Sequence, residues 1–215
     1  GTVATRDRSL PHALGVLLCS SRKLYLRCYR DERQSTLLEG LASAFEYFDG
    51  VAQRVVLDNM STAVLGRFVA KNKPLFHPRF LDFARHYGFE AFACRIKDPD
   101  RKGKKEKSFR LVYDDFIKAS EFISWDALDV RRRIWLDETP EVANLRIHGT
   151  TGRVPNAAFE AERPLLIKLP AKRFPVHEDS IRSVDDDSTL FIHGTPYTVP
   201  ALRGVDLQVS EGEFM

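Results

Sequence analysis

The order of the predicted elements constrains the fold of this chain more than any other feature. Apolar residues alternate along some segments and recur at helical spacing along others. In chain order these patterns predict a β-hairpin over 13–29, a helix over 36–48, a strand over 55–57, a helix over 78–87, a strand over 89–95 and a long helix over 104–122. Such alternation is typical of a mixed α/β domain in which helices cover a sheet.

Local residue types mark the ends of the first two helices. Thr36 and Glu39 have the spacing of a capping box, and Asp49-Gly50 ends the helix that they begin. Pro78 opens the second helix, and Gly88 closes it. Its buried face is predicted to consist of Phe80, Leu81, Ala84 and Tyr87. Further helices are predicted over 125–136 and 155–162.

The residue pattern changes after Leu165. The segment 169–175 reads as a linker, and short strands separated by turns follow it, which fits a small antiparallel β-barrel. We therefore expect an α/β domain over 1–165 and a small barrel over 166–215.

Charge and composition narrow the functional classes. No apolar run approaches the ~20 residues of a membrane helix, and the three cysteines are scattered, as in a reduced cytosolic protein. The net charge is +3, which permits nucleic-acid binding. Because the first residue is Gly rather than Met, we expect the chain to be an excised fragment.

Two acidic residues lie where a sheet edge and a helix start can meet. Asp58 ends the apolar run 55–57, and Glu106 begins the apolar stripe of the long helix. Carboxylates placed in this way can hold divalent metal ions for phosphoryl transfer. Each residue also has a structural interpretation, since Asp58 could cap a turn and Glu106 could be a solvated residue in the first helical turn.

The sequence around Glu106 is strongly basic. We expect DNA phosphates to contact residues from this stretch and from the segment that follows Asp58, namely Asn59, Lys102, Lys104, Lys105 and Arg110. The Gly-containing stretch 149–152 could bind an anion, although such a segment is more often an ordered turn before a helix.

Several segments, in this order, resemble the IstA-type insertion-sequence transposases of the retroviral-integrase superfamily. They are 18–22, 44–51, 56–64, 83–89, 102–106, Asn144 and 148–155. The resemblance implies an RNase H-like fold with a mixed sheet flanked by helices. It also implies a catalytic triad of two Asp and one Glu, in which Asp58 and Glu106 match the second and third members. The first Asp is expected just upstream of Gly1, since Asp7 lies in a polar stretch that does not resemble a strand.

The same resemblance implies cofactor and partners. Asp58 and Glu106 would be the catalytic and metal-binding residues of a site for two Mg²⁺ or Mn²⁺ ions. The parent protein would process the 3′ ends of transposon DNA and join them to target DNA, as a homo-oligomer assisted by an AAA+ ATPase, in the bacterial cytoplasm and without membrane contact. The fragment itself is expected to be inactive. The alternative is a non-catalytic DNA-binding or assembly module with the same fold.

Overall fold

The computed structural model describes residues 11–58, 60–68, 73–94, 116, 124–176, 179–183, 189–192, 195–198 and 206–210. The chain divides into two compact units, Gly1–Phe174 and Pro175–Met215. The sequence pattern had suggested a boundary earlier in the chain, after residue 165.

The first unit begins with the predicted hairpin. Strand β1, His12–Leu17, pairs antiparallel with β2, Leu24–Tyr29, so that Leu17 lies opposite Leu24. The connecting turn is closed by hydrogen bonds from Leu18 N to Lys23 O, at 3.0 Å, and from Arg22 N to Leu18 O, at 3.1 Å. Alternating apolar residues on both sides of a polar turn therefore gave the correct hairpin.

Helix α1, Gln34–Phe48, begins earlier than predicted. Its N-cap is Arg33, which makes no side-chain capping bond, and the hydroxyl of Thr36 instead donates to the carboxylate of Asp31. The predicted capping box is therefore wrong, because Thr36 already lies inside the first turn. The predicted end is confirmed: Asp49 takes the left-handed conformation, with φ 54°, that stops a helix.

Helix α1 carries the core of the unit on its inner face. Its buried residues include Leu38, Leu41, Phe45 and Phe48. Gly40 lies so close to the hairpin that an added Cβ would overlap Leu14 and come within 2.9 Å of Tyr29 Oη. The absence of a side chain at this position therefore makes room for the ends of the Leu14 and Tyr29 side chains between helix and hairpin.

The strand that precedes Asp58 is parallel but not fully buried. Strand β3, Arg54–Leu57, pairs with β6, Glu90–Ala93, so that Leu57 lies opposite Ala93. Leu57 is buried, but Val56 is 42% exposed. The interpretation of 55–57 as a buried strand is therefore wrong for Val56, which lies opposite the similarly exposed Phe92. Parallel pairing nevertheless fixes which end of β3 meets which end of β6.

A second antiparallel hairpin lies between these two strands in sequence. Strand β4, Val64–Phe68, pairs with β5, Lys73–Phe76, with an irregularity between Val64 and Gly66. The β4–β5 hairpin was not predicted from the sequence, because Gly66 and Pro74 interrupt the pattern of strand-forming residues.

Helix α2, Pro78–Tyr87, has the predicted ends, with Pro78 in its first turn and Gly88 at φ 75° after its last. Its buried residues are Phe80, Phe83, Ala84 and Tyr87. Leu81, predicted on this face, is 39% exposed. The positions three, four and seven residues after Phe80 are 83, 84 and 87, so Leu81 falls outside the apolar stripe.

The chain after residue 123 adds two more helices to the first unit. Helix α3, Trp125–Arg133, is capped by Ser124, whose hydroxyl accepts from Ala127 N at 3.1 Å. A π-helical turn, Ile134–Glu138, and a 3₁₀ turn, Ala143–Leu145, follow it. The predicted helix over 104–122 lies outside the described residues except for Phe116. Phe116 is buried and packs against Trp135, with ring centroids 5.3 Å apart.

Helix α4, Pro155–Glu162, matches its prediction and runs into a 3₁₀ turn, Arg163–Leu165. The chain then crosses α1 and α2. Ile167 and Val51 exchange backbone hydrogen bonds of 2.8 and 2.9 Å. Phe174 packs against Phe83, with ring centroids 5.3 Å apart. Residues 166–174, which we call the strap, are thus bound to the first unit, although 169–175 was interpreted as a linker.

The second unit contains four described strands: β7, Asp179–Ser183; β8, Thr189–Ile192; β9, Thr195–Thr198; and β10, Asp206–Ser210. β7 pairs with β10 and β8 pairs with β9, both antiparallel. The described strands thus form two two-stranded sheets, and no closed barrel is present among them.

Candidate active site

Asp58 follows directly after β3, at the carboxyl end of a parallel strand pair. The ladder between β3 and β6 ends with a hydrogen bond of 2.9 Å from Cys94 N to Leu57 O. Asp58 therefore lies just beyond the last pairing, on the edge of the sheet where the carboxyl ends of both strands meet. In open α/β sheets this edge is the usual place for ligands.

A short hydrogen-bonded turn fixes the backbone after Asp58. Met60 N donates to Asp58 O at 2.7 Å, and Val64 N donates to Met60 O at 3.0 Å. The side-chain amide of Gln34, in the first turn of α1, donates to Thr62 O at 2.8 Å. Both strand pairing and helix α1 therefore position the backbone on either side of Asp58.

The side chain of Asp58 is exposed. An exposed carboxylate at a fixed strand end suits a hard divalent cation, which prefers oxygen ligands and retains water molecules. Among the residues that the structure describes, no group of three His, Cys, Asp or Glu side chains could hold a metal ion. Of the two predicted metal ligands, Asp58 and Glu106, Asp58 is the one that lies among the described residues.

The remaining predicted site residues lie outside the described residues. They are Glu106, Asn59, Lys102, Lys104, Lys105 and Arg110. Asp7, the candidate that we rejected for the first acidic position, also lies outside them. The pairing of Asp58 with Glu106 and the surrounding basic residues stay predictions from sequence.

A buried polar network supports the β1–β2 hairpin at Leu24. The side chain of Asn144, fully buried, accepts from Leu24 N and donates to Leu24 O, both at 2.8 Å. Tyr47 Oη lies 2.9 Å from the same amide and donates to the carboxylate of Asp137 at 2.6 Å. Asn144 thus satisfies the backbone of β2 as a neighbouring strand would.

The ionisation of Tyr47 follows from this network. Burial raises the pKa of the Tyr47 hydroxyl, and its hydrogen bond to Asp137 raises that pKa further. The tyrosine therefore stays protonated and donates to Asp137 across the physiological pH range. From the sequence, Asn144 was of interest only for its resemblance to the transposases. Its contacts with Tyr47 and Asp137 were not predicted, because no local pattern connects these residues to it.

Comparison with known proteins shows which proteins this chain is related to. A protein of Geobacillus stearothermophilus described as a transposase for insertion sequence element IS5376 is 32% identical over 192 residues, which cover 89% of this chain and 46% of that protein. The transposase for insertion sequence element IS21 of Pseudomonas aeruginosa is 29% identical over 88% of this chain and 48% of its own length. The chain is a homologue of insertion-sequence transposases. No protein-family model matches it.

This transposase homologue spans about half the length of the curated relatives that it matches. Its fold is shared with a chain of the simian T-cell lymphotropic virus intasome, determined by cryoEM in complex with PP2A regulatory subunit B56 gamma. That likeness has a TM-score of 0.52 at 13% identity and covers 88% of this chain and 60% of the other. The mixed strands and helices of the first unit therefore fit the predicted RNase H-like α/β fold.

The helices described for this homologue do not include one of the length and hydrophobicity required to cross a membrane.

The stretch 149–152, for which the sequence left two interpretations open, is an ordered turn: Gly152 N donates to His148 O at 2.8 Å, and Gly152 has φ 62°.

Proposed function

We propose that this chain forms most of the catalytic core of a DDE transposase, and that the native protein which carries it processes transposon 3′ ends and joins them to target DNA. The observation that carries the proposal is the position of Asp58 at the carboxyl edge of a parallel strand pair, in a homologue of insertion-sequence transposases. Phosphoryl transfer between DNA strands requires carboxylates at a place that a DNA backbone can reach. The exposure of Asp58 meets this requirement.

Asp58 and Glu106 would hold Mg²⁺ or Mn²⁺. A bound pair of these ions supplies charge stabilisation for the attacking and leaving oxygens of an in-line displacement. The contribution of the chain is to hold the Asp58 carboxylate at a fixed place, through the β3–β6 ladder and the turn that Gln34 supports. Lys102, Lys104, Lys105 and Arg110 would neutralise DNA phosphates near these ions, and the neutral amide of Asn59 would donate a hydrogen bond to a phosphate oxygen.

Assembly and partners belong to the same proposal. The native protein would act on DNA as a homo-oligomer with an AAA+ ATPase partner. The antiparallel strands of the second unit would complete a small barrel that contacts DNA or another subunit.

The proposal is tested by a strand-transfer assay on the native protein that carries this chain. Asp58→Asn and Glu106→Gln each keep the size of the side chain but remove a charged metal ligand. We expect each to reduce joining by more than the ~10–100-fold that loss of an outer-shell partner typically costs, while DNA binding is retained.

Asp82→Asn is the matched control, because Asp82 is an exposed aspartate whose described contact is a surface ion pair with Arg85. Wild-type rates of joining by Asp58→Asn would refute the assigned site. DNA binding by the native protein with no detectable joining would instead favour the non-catalytic, assembly interpretation.

A further inference from the structure

A pocket of about 350 Å³ lies between the β1–β2 turn, the 148–152 turn and helix α4. Ser20, Thr151, Arg153 and Glu162 are among its lining residues. Its acidic member is already engaged, since the carboxylate of Glu162 accepts from Ser21 N at 2.7 Å and from Ser20 N at 3.3 Å. The carboxylate of Glu162 therefore caps the hairpin turn, while its negative charge stays in the pocket wall.

Three arginines in or next to the two turns that border this pocket have no carboxylate partner among the described residues, and one of them, Arg153, lines the pocket. Arg22, Arg146 and Arg153 form no ion pair among the described residues, whereas most described arginines of the first unit, such as Arg163 with Asp49 at 2.7 Å, do. Arg22 and Arg146 lie close enough to His148 to lower its pKa, in addition to the effect of burial. The charge of Arg153 in the pocket wall is offset by Glu162, and Arg22 and Arg146 near His148 add further positive charge beside the pocket.

Two polar side-chain atoms next to the pocket also have unsatisfied hydrogen-bonding capacity. Within the described part of the chain, Arg22 Nε and Thr151 Oγ1 are buried and have no hydrogen-bond partner. A buried donor without a partner is destabilising, so such atoms usually bind a ligand or water. Both are hydrogen-bond donors, and Thr151 is a residue of the pocket wall.

The pocket lies far from Asp58. At the first turn of α1, Gln34 binds the loop that follows Asp58. At the other end of α1, Asp49 binds Arg163, the neighbour of the pocket residue Glu162. Because α1 has 15 residues and an α-helix rises about 1.5 Å per residue, roughly 22 Å separates its two ends. An anion in this pocket is therefore not the one at the candidate catalytic edge.

We propose that this pocket is a second DNA contact, in which Arg22, Thr151 and Arg153 bind a backbone phosphate remote from the site of chemistry. The proposal rests on the proposed function, because DNA is the polyanion on which a transposase core acts. A phosphodiester is an oxyanion with several acceptor oxygens, which matches a pocket of arginine and hydroxyl donors.

The test is DNA binding by the native protein, measured by fluorescence anisotropy with an unrelated 30-base-pair duplex over a range of NaCl concentrations. Arg153→Gln is expected to weaken binding by about 5–10-fold and to reduce the slope of log K against log salt by about 1. Thr151→Val, which keeps the shape of the side chain and removes the donor, is expected to weaken binding to a smaller extent.

Arg85→Gln is the matched control, because it removes the same charge from an exposed arginine that is paired with Asp82. Equal effects of Arg153→Gln and Arg85→Gln would overturn the proposal. Because Asp58 is intact in all these variants, this failure is distinct from failure of the proposed function, which the joining assay with Asp58→Asn reports.

A second readout separates DNA from free phosphate. A bound anion opposes the charges of Arg22 and Arg146, so the pKa of His148, followed by NMR, is expected to rise when duplex DNA is added and not when Arg153→Gln receives the same DNA. A rise with millimolar inorganic phosphate but none with DNA would refute DNA as the ligand. No rise with either would refute an anion site.

Discussion

Asn144 shows how a single buried amide can replace part of a strand. Its side chain binds both backbone groups of Leu24, and it reaches Tyr47 Oη and Asp137 as well. Removing the amide leaves Leu24 N and Leu24 O buried without these partners, and each such group costs roughly 1–3 kcal/mol. The contribution of Asn144 is therefore to the stability of the hairpin core.

We predict that Asn144→Ala lowers the free energy of unfolding by about 2–4 kcal/mol, because it leaves two buried backbone groups without hydrogen-bond partners and creates a cavity. Urea unfolding of the variant measures this loss. The matched control is Tyr47→Phe, which removes one hydroxyl from the same network and is expected to cost less. A loss below about 1 kcal/mol for Asn144→Ala would contradict the role of Asn144.

Cys28 provides a pH-dependent test at the same scale. Burial raises the pKa of its thiol from 9.0 to about 11. The folded state therefore holds the proton more tightly than the unfolded state, so this contribution to stability is complete below about pH 9 and is lost as the pH rises to about 11.

We predict that between pH 9 and pH 11 the wild type loses more stability than Cys28→Ser, because serine does not ionise in this range. Unfolding in urea at both pH values measures the difference, and the variant cancels the contributions of all other groups. Parallel pH dependences of the two proteins would contradict the buried environment of the Cys28 thiol.

At the scale of elements, patterns within one segment were the most predictable part of the fold. The β1–β2 hairpin, the ends of α2 and helix α4 follow from alternation, from Pro78 and Gly88, and from Pro155. Features set by neighbours were not predictable. Thr36 binds Asp31 instead of capping α1, and the β4–β5 hairpin forms despite Gly66 and Pro74.

The candidate site also has parts that the sequence predicts and parts that it does not. A polar residue directly after an apolar strand indicates a sheet edge, and Asp58 occupies that place. The contacts of Asn144 and the unpaired arginines of the pocket depend on residues far apart in sequence, such as Arg22 and Arg153, so the sequence pattern did not reveal them.

Gly40 makes the packing of α1 on the hairpin testable. A methyl group at this position would overlap Leu14 and crowd Tyr29 Oη. We predict that Gly40→Ala destabilises the first unit by about 1–3 kcal/mol, although alanine favours a helix, because overpacking outweighs the gain in helix propensity.

Gly149→Ala is the matched control for Gly40→Ala, since nothing lies within 4 Å of the position its added Cβ would take. Thermal unfolding of both variants gives the comparison. If Gly40→Ala is as stable as Gly149→Ala, the close approach of helix and sheet is incorrect.

At the scale of the whole molecule, the strap belongs to the first unit. Arg173 binds Glu39 at 2.8 Å and Glu46 at 3.2 Å, and His86 Nε2 lies 2.8 Å from Lys172 O. With Phe174 on Phe83, these contacts fasten the strap across α1 and α2.

We predict that a fragment of residues 1–174 unfolds at nearly the same denaturant concentration as the first unit in the whole chain. A fragment of residues 1–165 is expected to be less stable by several kcal/mol, because it loses the Ile167 backbone pairing, the Arg173 ion pairs and the Phe174 ring contact together. Equal stability of the two fragments would show that the strap is only a linker.

The proposed transposase function depends on whether Asp58 binds a divalent metal ion. The most direct measurement is titration of the native protein with Mn²⁺, with free ion followed by electron paramagnetic resonance. We predict saturable binding that Asp58→Asn and Glu106→Gln each weaken by at least about tenfold, and that Asp82→Asn leaves unchanged. Binding of Mn²⁺ by Asp58→Asn with the affinity of the wild type would contradict the account.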